Sequence, residues 1–221
     1  MGDKEIVFLV SGGGGTLKFL HKALERVGLP FHIQGVIADR QCQALRYAER
    51  VGIQFVQMPY DRRNDVAFNA FLAEWNPDCV VTNIHKILSS NTLLGCKAKF
   101  INLHYSILPA YTGYIGMDDM LRDAQAQSGK LLGATCHDVS ADVDAGNIIC
   151  QGAFGVDWEE ERSLICNRLF RCACLVFLNA LMVKFSLQQG IYNHPDYLIN
   201  PPLVFNPRFA TEDFWIEVSK S

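Results

Sequence analysis

The sequence predicts an α/β fold, with a mostly parallel mixed sheet flanked by helices. Three observations predict it. Short apolar runs alternate with segments of helical spacing through the first half of the 221-residue chain. A serine and four glycines, residues 11–15, stand between the first apolar run and the first helical segment. A long helical pattern near the carboxyl end would cover the sheet. In such folds, ligands bind beyond the carboxyl ends of the strands.

The first half supplies most of the sheet. Residues 5–10 form an apolar run, and residues 17–27 repeat leucine at helical spacing before Gly28, which stops the helix. The alternation continues with strands predicted at 32–38, 54–58, 78–82 and 100–104 and helices predicted at 44–51 and 65–75.

The second half changes character. A helix is predicted at 115–126, strands at 131–137 and 147–154, and a long helix from about 159 to 189. Four prolines follow Gly190, so an irregular path is predicted for the tail. We therefore expect one domain over 1–190, with an irregular extension over 191–221 packed on it.

Composition excludes several classes of protein. The formal charge is −3, so no basic surface indicates nucleic acid as a partner. Residues 1–5 lack the apolar stretch of a secretory signal. The apolar segment 172–183 is too short to span a membrane and predicts a buried helix. The eight cysteines contain no Cys-x-x-Cys pair, which predicts reduced, mostly buried thiols, no metal and a cytoplasmic location.

The glycine run has two interpretations. A glycine loop before a helix lets backbone N–H groups cradle a phosphate, but tight turns also select glycine. No third glycine of a dinucleotide fingerprint follows, and the Gly-Lys-Ser/Thr of a P-loop is absent, which disfavours a nicotinamide oxidoreductase. The candidate phosphate-binding residues are Gly13, Gly14, Gly15 and Thr16.

Three polar residues form a candidate catalytic group. Asn102 and His104 are two residues apart on a predicted strand, so both side chains point to the same side. Asp144 lies in a polar loop before the next apolar run. An amide, an imidazole and a carboxylate can move an acyl group onto an amine. Each also has an ordinary structural interpretation, as a local backbone partner or a turn residue.

These residues are part of a wider pattern that resembles the folate-dependent formyltransferase family, closest to its glycinamide ribonucleotide branch. The matching segments are VSG at 10–12, GGTL at 14–17, KILS at 86–89, INLHYSILP at 101–109, CHDV at 136–139 and DAG at 144–146. The resemblance implies a Rossmann-like formyltransferase fold and 10-formyltetrahydrofolate as the formyl donor. It also implies that Asn102, His104 and Asp144 are catalytic, with His137 either supporting them or simply packed in its strand.

The resemblance further implies two segments that bind the reduced folate, with apolar walls from Ile87 and Leu88 unless these are core residues. The implied folate-binding residues are Lys86, Ile87, Leu88, Val139, Ser140, Ala141 and Asp142. The acceptor would be a primary amine on a phosphorylated small molecule, with glycinamide ribonucleotide of purine biosynthesis as the first expectation. Gly15 and Cys166 depart from that enzyme's pattern. At the position of Cys166, that enzyme has a glutamate that recognises the amine.

Other functions therefore stay open. The acceptor could be the amino group of a nucleotide-linked amino sugar. Water could replace the amine, which would make the protein a 10-formyltetrahydrofolate hydrolase, or the chain could be a non-catalytic binding module. The expected partners are the reduced folate and the amine substrate, without nucleic acid or membrane, and a homodimer is allowed.

Overall fold

The computed structural model describes residues 2–113 and 116–221. The chain divides into two compact units. The first comprises residues 1–102, 138–142 and 211–221, and the second comprises residues 103–137 and 143–210.

The strands confirm the predicted mostly parallel mixed sheet. Those described run in the order β3-β2-β1-β4-β5-β6-β7-β8. The pairs among β1–β5 are parallel, whereas β7 pairs antiparallel with both β6 and β8. The strands are β1 Lys4–Val10, β2 Phe31–Ala38, β3 Phe55–Gln57, β4 Cys79–Asn83, β5 Lys99–His104, β6 Leu131–Asp138, β7 Ile148–Gly155 and β8 Leu198–Asn200.

Helices accompany these strands. They are α1 Gly15–Arg26, α2 Gln43–Val51, α3 Val66–Trp75, α4 Ser90–Leu94, α5 Met117–Ala126, α6 Arg162–Lys184 and α7 Glu212–Lys220. The short helix α4 has no counterpart among the sequence predictions. Ser89 caps it by accepting a hydrogen bond from the Thr92 N–H.

In the first unit, the core is built around β1. Val7 and Leu9 of β1 are fully buried, and their neighbours in the same apolar cluster include Leu72 and Val80. Strands of a parallel sheet that is covered on both faces are apolar along their whole length, which explains the continuous apolar run. At the carboxyl end of the chain, α7 returns to this unit, where Trp215 stacks on Phe19 with ring centroids 5.6 Å apart.

In the second unit, the long helix α6 packs on β7. Gly152 of β7 permits this contact, because a Cβ there would lie 2.6 Å from Val176 and 2.9 Å from the Cys172 sulfur. Asn179 lies on the same helix and is fully buried. Its side chain donates to the Pro201 carbonyl at 2.9 Å and accepts from the Val204 N–H at 2.8 Å. The helix thereby holds the segment that follows β8.

Several predicted boundaries were wrong. The long helix covers Arg162–Lys184 rather than about 159 to 189, and the helix predicted from Ile115 begins at Met117, with Ile115 itself outside the described residues. The prediction of an irregular tail beyond Gly190 was also wrong. That tail contains β8, a 3-10 turn over Pro207–Phe209 and α7.

The argument from length against a membrane span was also wrong. The apolar segment 172–183 belongs to α6, whose 23 residues have a mean hydropathy of 1.6 in their apolar window and could cross a membrane by length and composition. The structure buries 67% of that window inside the protein, as the core helix of a globular domain requires. The prediction of mostly buried cysteines without disulfides is confirmed. None of the eight cysteines, all within the described residues, forms a disulfide, and five are buried: Cys79, Cys136, Cys150, Cys172 and Cys174.

Candidate active site

The candidate site is built around the carboxyl end of β5. His104 is the last residue of this strand and is only 6% exposed. Asn102, two residues earlier, belongs to the first compact unit and is partly exposed. Because side chains alternate along a strand, Asn102 and His104 lie on the same face of β5, as predicted.

Asp144 brings two histidines of the second unit together. Its Oδ2 atom lies 3.4 Å from Nδ1 of His104, and its Oδ1 atom lies 3.6 Å from Nε2 of His137. The side chains of all three residues are less than a tenth exposed. Charges interact more strongly where water is excluded, so the Asp144 carboxylate is placed to interact closely with both imidazole rings. The histidine at 137, for which two interpretations were open, therefore lies beside the candidate carboxylate.

A backbone loop over residues 106–113 fixes both members of the His104–Asp144 pair. The Tyr111 carbonyl lies 3.0 Å from Nε2 of His104, and the Gly113 N–H donates to Oδ2 of Asp144 at 2.8 Å. Since a carbonyl oxygen only accepts, Nε2 of His104 carries a proton in this arrangement. Tyr111 and Asp144 both have left-handed backbone conformations, with φ values of 59° and 51°. A left-handed conformation is strained in a residue other than glycine, and such strain is typical of functional loops.

Two polar side chains, the buried Thr135 and the partly buried Gln151, hold the start of this loop, and the sequence alone did not identify them. The Thr135 hydroxyl donates to the Ser106 carbonyl at 2.8 Å and accepts from the Leu108 N–H at 3.0 Å. The Gln151 amide donates to the Leu108 carbonyl at 2.9 Å and to the Thr135 hydroxyl at 3.1 Å. The sequence offered one signal. Thr135 is a polar residue inside the apolar strand β6, two residues before His137 and therefore on the same face of that strand.

The glycine loop lies in the first unit, where β1 meets α1. Gly14 has a φ of 69°, and a Cβ there would come within 2.7 Å of the Ala44 methyl, so the turn requires glycine. The hydroxyl of Thr16 donates to the Asn83 side chain at 3.3 Å. A phosphate at this loop would therefore meet chiefly backbone N–H groups of the first helical turn, which lack acceptors within the helix.

The two segments implied to bind folate also lie in the first unit. Leu88 is 2% exposed and packs in the core cluster, whereas Ile87 is 44% exposed and Lys86 is exposed. Of the two predicted apolar walls, Leu88 thus matches the core interpretation. In the other segment, the Val139 N–H donates to the Phe100 carbonyl at 3.0 Å. The Ser140 hydroxyl donates to the Asp142 carbonyl at 2.9 Å, which folds that loop on itself.

Cys166 lies one turn after Arg162 on α6 and is partly buried. Burial raises the pKa of its thiol, and Asp118 raises it further, against the opposing effect of Arg162. The thiol is therefore neutral near pH 7 and offers no charge to an ammonium group. Within residues 2–113 and 116–221, no cluster of three or more His, Cys, Asp or Glu side chains could hold a metal ion.

The comparisons with known proteins all indicate the same family. Residues 4–181 match the family described as formyl transferase. Phosphoribosylglycinamide formyltransferase of Mycobacterium tuberculosis is 33% identical over 167 residues, which cover 72% of this chain and 75% of that protein. Formyltetrahydrofolate deformylase of Haemophilus influenzae is 29% identical over 159 residues, which cover 70% of this chain and 55% of that protein.

Solved structures agree on the fold. The crystal structure of glycinamide ribonucleotide transformylase 1 from Symbiobacterium toebii aligns with a TM-score of 0.73 at 24% identity, covering 88% of this chain and 92% of that one. Together with the matched family residues, this similarity confirms the family that the sequence pattern resembled. The chain belongs to the formyl transferase family and is a 10-formyltetrahydrofolate-dependent enzyme.

Proposed function

We propose that the enzyme transfers the formyl group of 10-formyltetrahydrofolate to the primary amine of glycinamide ribonucleotide. The observation that carries this proposal is the contact of Asp144 with His104, held by backbone groups at Tyr111 and Gly113. The 33% identity to a phosphoribosylglycinamide formyltransferase over three quarters of that protein supports this acceptor.

The reaction needs stabilisation of one charge and movement of one proton. When the amine attacks the formyl carbon, a C–N bond forms and negative charge develops on the formyl oxygen. The Nε2–H group of His104, which the Tyr111 carbonyl orients, would be shared with that oxygen as a bifurcated donor. The amide of Asn102, on the same face of β5, would be a second donor. The intermediate collapses when the bond from carbon to the folate nitrogen breaks.

Asp144 would assist both steps. Its Oδ2 atom beside Nδ1 orients the His104 ring, so that the Nε2–H group is presented as a donor to the oxyanion. The attacking amine must lose a proton and the departing folate nitrogen must gain one. A water bound at Asp144 would carry that proton.

The glycine loop would recognise the acceptor's phosphate. Gly14, the N-cap of α1, provides no side-chain cap, so the first N–H groups and the partial positive charge of the helix start would favour an anion. Cys166 supplies no carboxylate for the acceptor's amine. We therefore expect phosphate binding to contribute most of the acceptor's affinity.

A deformylase activity is the second candidate, because the chain is also 29% identical to a formyltetrahydrofolate deformylase over 70% of its length. Water would then take the place of the amine at the formyl carbon. Asn102, His104 and Asp144 would act as they do in transfer.

One experiment separates these functions. The purified protein is incubated with 10-formyltetrahydrofolate and, in turn, glycinamide ribonucleotide, a nucleotide-linked amino sugar, or buffer alone. Release of tetrahydrofolate is followed by absorbance, and the formylated amine is identified by mass spectrometry. We expect release that depends on glycinamide ribonucleotide and is abolished by His104→Ala. Release in buffer alone would assign the deformylase activity, and release with the amino sugar only would replace the proposed acceptor.

A further inference from the structure

The loop over residues 106–113 connects the His104–Asp144 pair to two polar side chains, the buried Thr135 and the partly buried Gln151. Its carboxyl-terminal part contacts the pair directly, through the Tyr111 carbonyl and the Gly113 N–H. Its amino-terminal part contacts Thr135 and Gln151, which face each other across β6 and β7. The same short segment is thus bonded at both ends.

At the amino-terminal part of the loop, the buried Thr135 hydroxyl both donates and accepts a hydrogen bond. Thr135 is fully buried, and its hydroxyl both donates to the Ser106 carbonyl and accepts from the Leu108 N–H. The Gln151 amide adds a donor to the Leu108 carbonyl. Inside the loop, the Ser106 hydroxyl donates to the Ala110 carbonyl at 2.5 Å, so the constraint extends to the residue before Tyr111.

We propose that Thr135 and Gln151 are positioning residues for the formyl transfer reaction. They hold residues 106–110 so that the Tyr111 carbonyl orients the His104 imidazole and the Gly113 N–H orients the Asp144 carboxylate. This proposal rests on the proposed catalytic roles of His104 and Asp144. Neither Thr135 nor Gln151 touches the reacting atoms.

The backbone conformation of the loop explains why the loop must be held in place. Tyr111 and Asp144 both adopt left-handed backbone conformations, which residues other than glycine adopt only when the surroundings hold them there. If the start of the loop relaxes, Tyr111 can leave that conformation, and the carbonyl at His104 moves with it. Displacement of a catalytic group by about 1 Å can reduce turnover about 100-fold.

Thr135→Val and Thr135→Ser test the role of the hydroxyl. Valine keeps the shape of threonine but removes the hydroxyl, whereas serine keeps it. We expect Thr135→Val to lower kcat by roughly tenfold to 100-fold with little change in KM for either substrate, and Thr135→Ser to retain most of kcat. Gln151→Met, which preserves size and removes both donated hydrogen bonds, should lower kcat in the same direction. It serves as the second variant if Thr135→Val does not fold.

Thr92→Val is the matched control. Thr92 is also buried, and its hydroxyl is 3.2 Å from the Asp65 carboxylate in the first unit. We expect this variant to lose stability while kcat stays near the wild-type value. If Thr135→Val and Thr92→Val had the same kcat, or if Thr135→Ser were as impaired as Thr135→Val, the positioning role would be refuted.

A spectroscopic readout keeps the proposal independent of the acceptor. In protein labelled with 15N-histidine, the His104 imidazole signals are assigned by their loss in His104→Ala. We expect these signals to shift in Thr135→Val and Gln151→Met but not in Thr135→Ser or Thr92→Val. If no acceptor supports turnover in the wild type, the proposed function fails, while these signals still decide whether Thr135 positions His104. Unchanged signals in Thr135→Val would overturn the inference.

Discussion

Asp144 is the residue on which the candidate catalytic group depends most. One carboxylate oxygen receives the Gly113 N–H and faces His104, while the other faces His137. Its side chain is about nine tenths buried, so its charge is poorly screened by solvent. A neutral side chain of similar size at position 144 would keep the shape of the aspartate and remove its charge.

Asp144→Asn tests that distinction. The amide can still accept the Gly113 N–H, so we expect the folded structure and KM values to persist. We expect kcat to fall on the order of 100-fold or more, because His104 loses its carboxylate partner at Nδ1 and the proton loses its carrier. Steady-state kinetics beside thermal unfolding would measure both effects. Near wild-type turnover in a correctly folded Asp144→Asn protein would exclude the proposed role.

At this scale, the sequence predicted side chains better than backbone contacts. Strand alternation singles out Asn102 and His104 as candidates, and the family pattern singles out these two and Asp144. The Tyr111 carbonyl and the Gly113 N–H could not be found, because every residue carries these groups and only the loop's path brings them to the site. Thr135 left a weak signal, a hydroxyl within an apolar strand.

At the scale of elements, the tail shows where local patterns mislead. Four prolines beyond Gly190 suggested an irregular chain, yet α7 begins only five residues after the last of them, Pro207. Phe214, Trp215 and Val218 form the buried face of α7, at a spacing that predicts a helix. Strand β8 has three residues, too few for a period of two to be recognised. Its position is set by pairing with β7 and by Asn179.

Asn179→Leu tests how α6 holds the tail. Leucine has a similar size but leaves the Pro201 carbonyl and the Val204 N–H without their buried partner. We expect the free energy of unfolding to fall by about 2–6 kcal/mol, at roughly 1–3 kcal/mol for each of the two unsatisfied groups. Denaturant unfolding would measure the change. Asn167→Leu, at an exposed position of α6, is the control and should stay within about 0.5 kcal/mol of wild type.

At the scale of the whole molecule, burial identifies α6 as a core helix, which composition could not do. Hydrophobic residues make up 49% of the chain, and helix α6 has the length and hydropathy of a membrane span. Composition therefore cannot distinguish a span from a core helix. Contacts can, because Cys172 and Val176 of α6 pack against Gly152 of β7. The same burial governs the chemistry of the thiols.

Thiol labelling gives a test of this burial across the chain. Burial raises the pKa of Cys150 to about 11 and that of Cys172 to about 12, and it raises the pKa of Cys174 well above its usual value. Only the thiolate reacts, and it is depleted whenever the pH lies below the pKa. At about pH 8, roughly one Cys150 thiol in a thousand would be ionised.

We therefore expect iodoacetamide to label the folded protein quickly only at the partly exposed cysteines. These are Cys42, Cys96 and Cys166, and Cys166 should be slow among them because burial raises its pKa. The five buried cysteines should react only in guanidinium, which exposes them all. Peptide mass spectrometry would give the rate at each site. Fast labelling of Cys172 or Cys174 in the folded protein would show that α6 opens to solvent, contrary to the packing of α6 on β7.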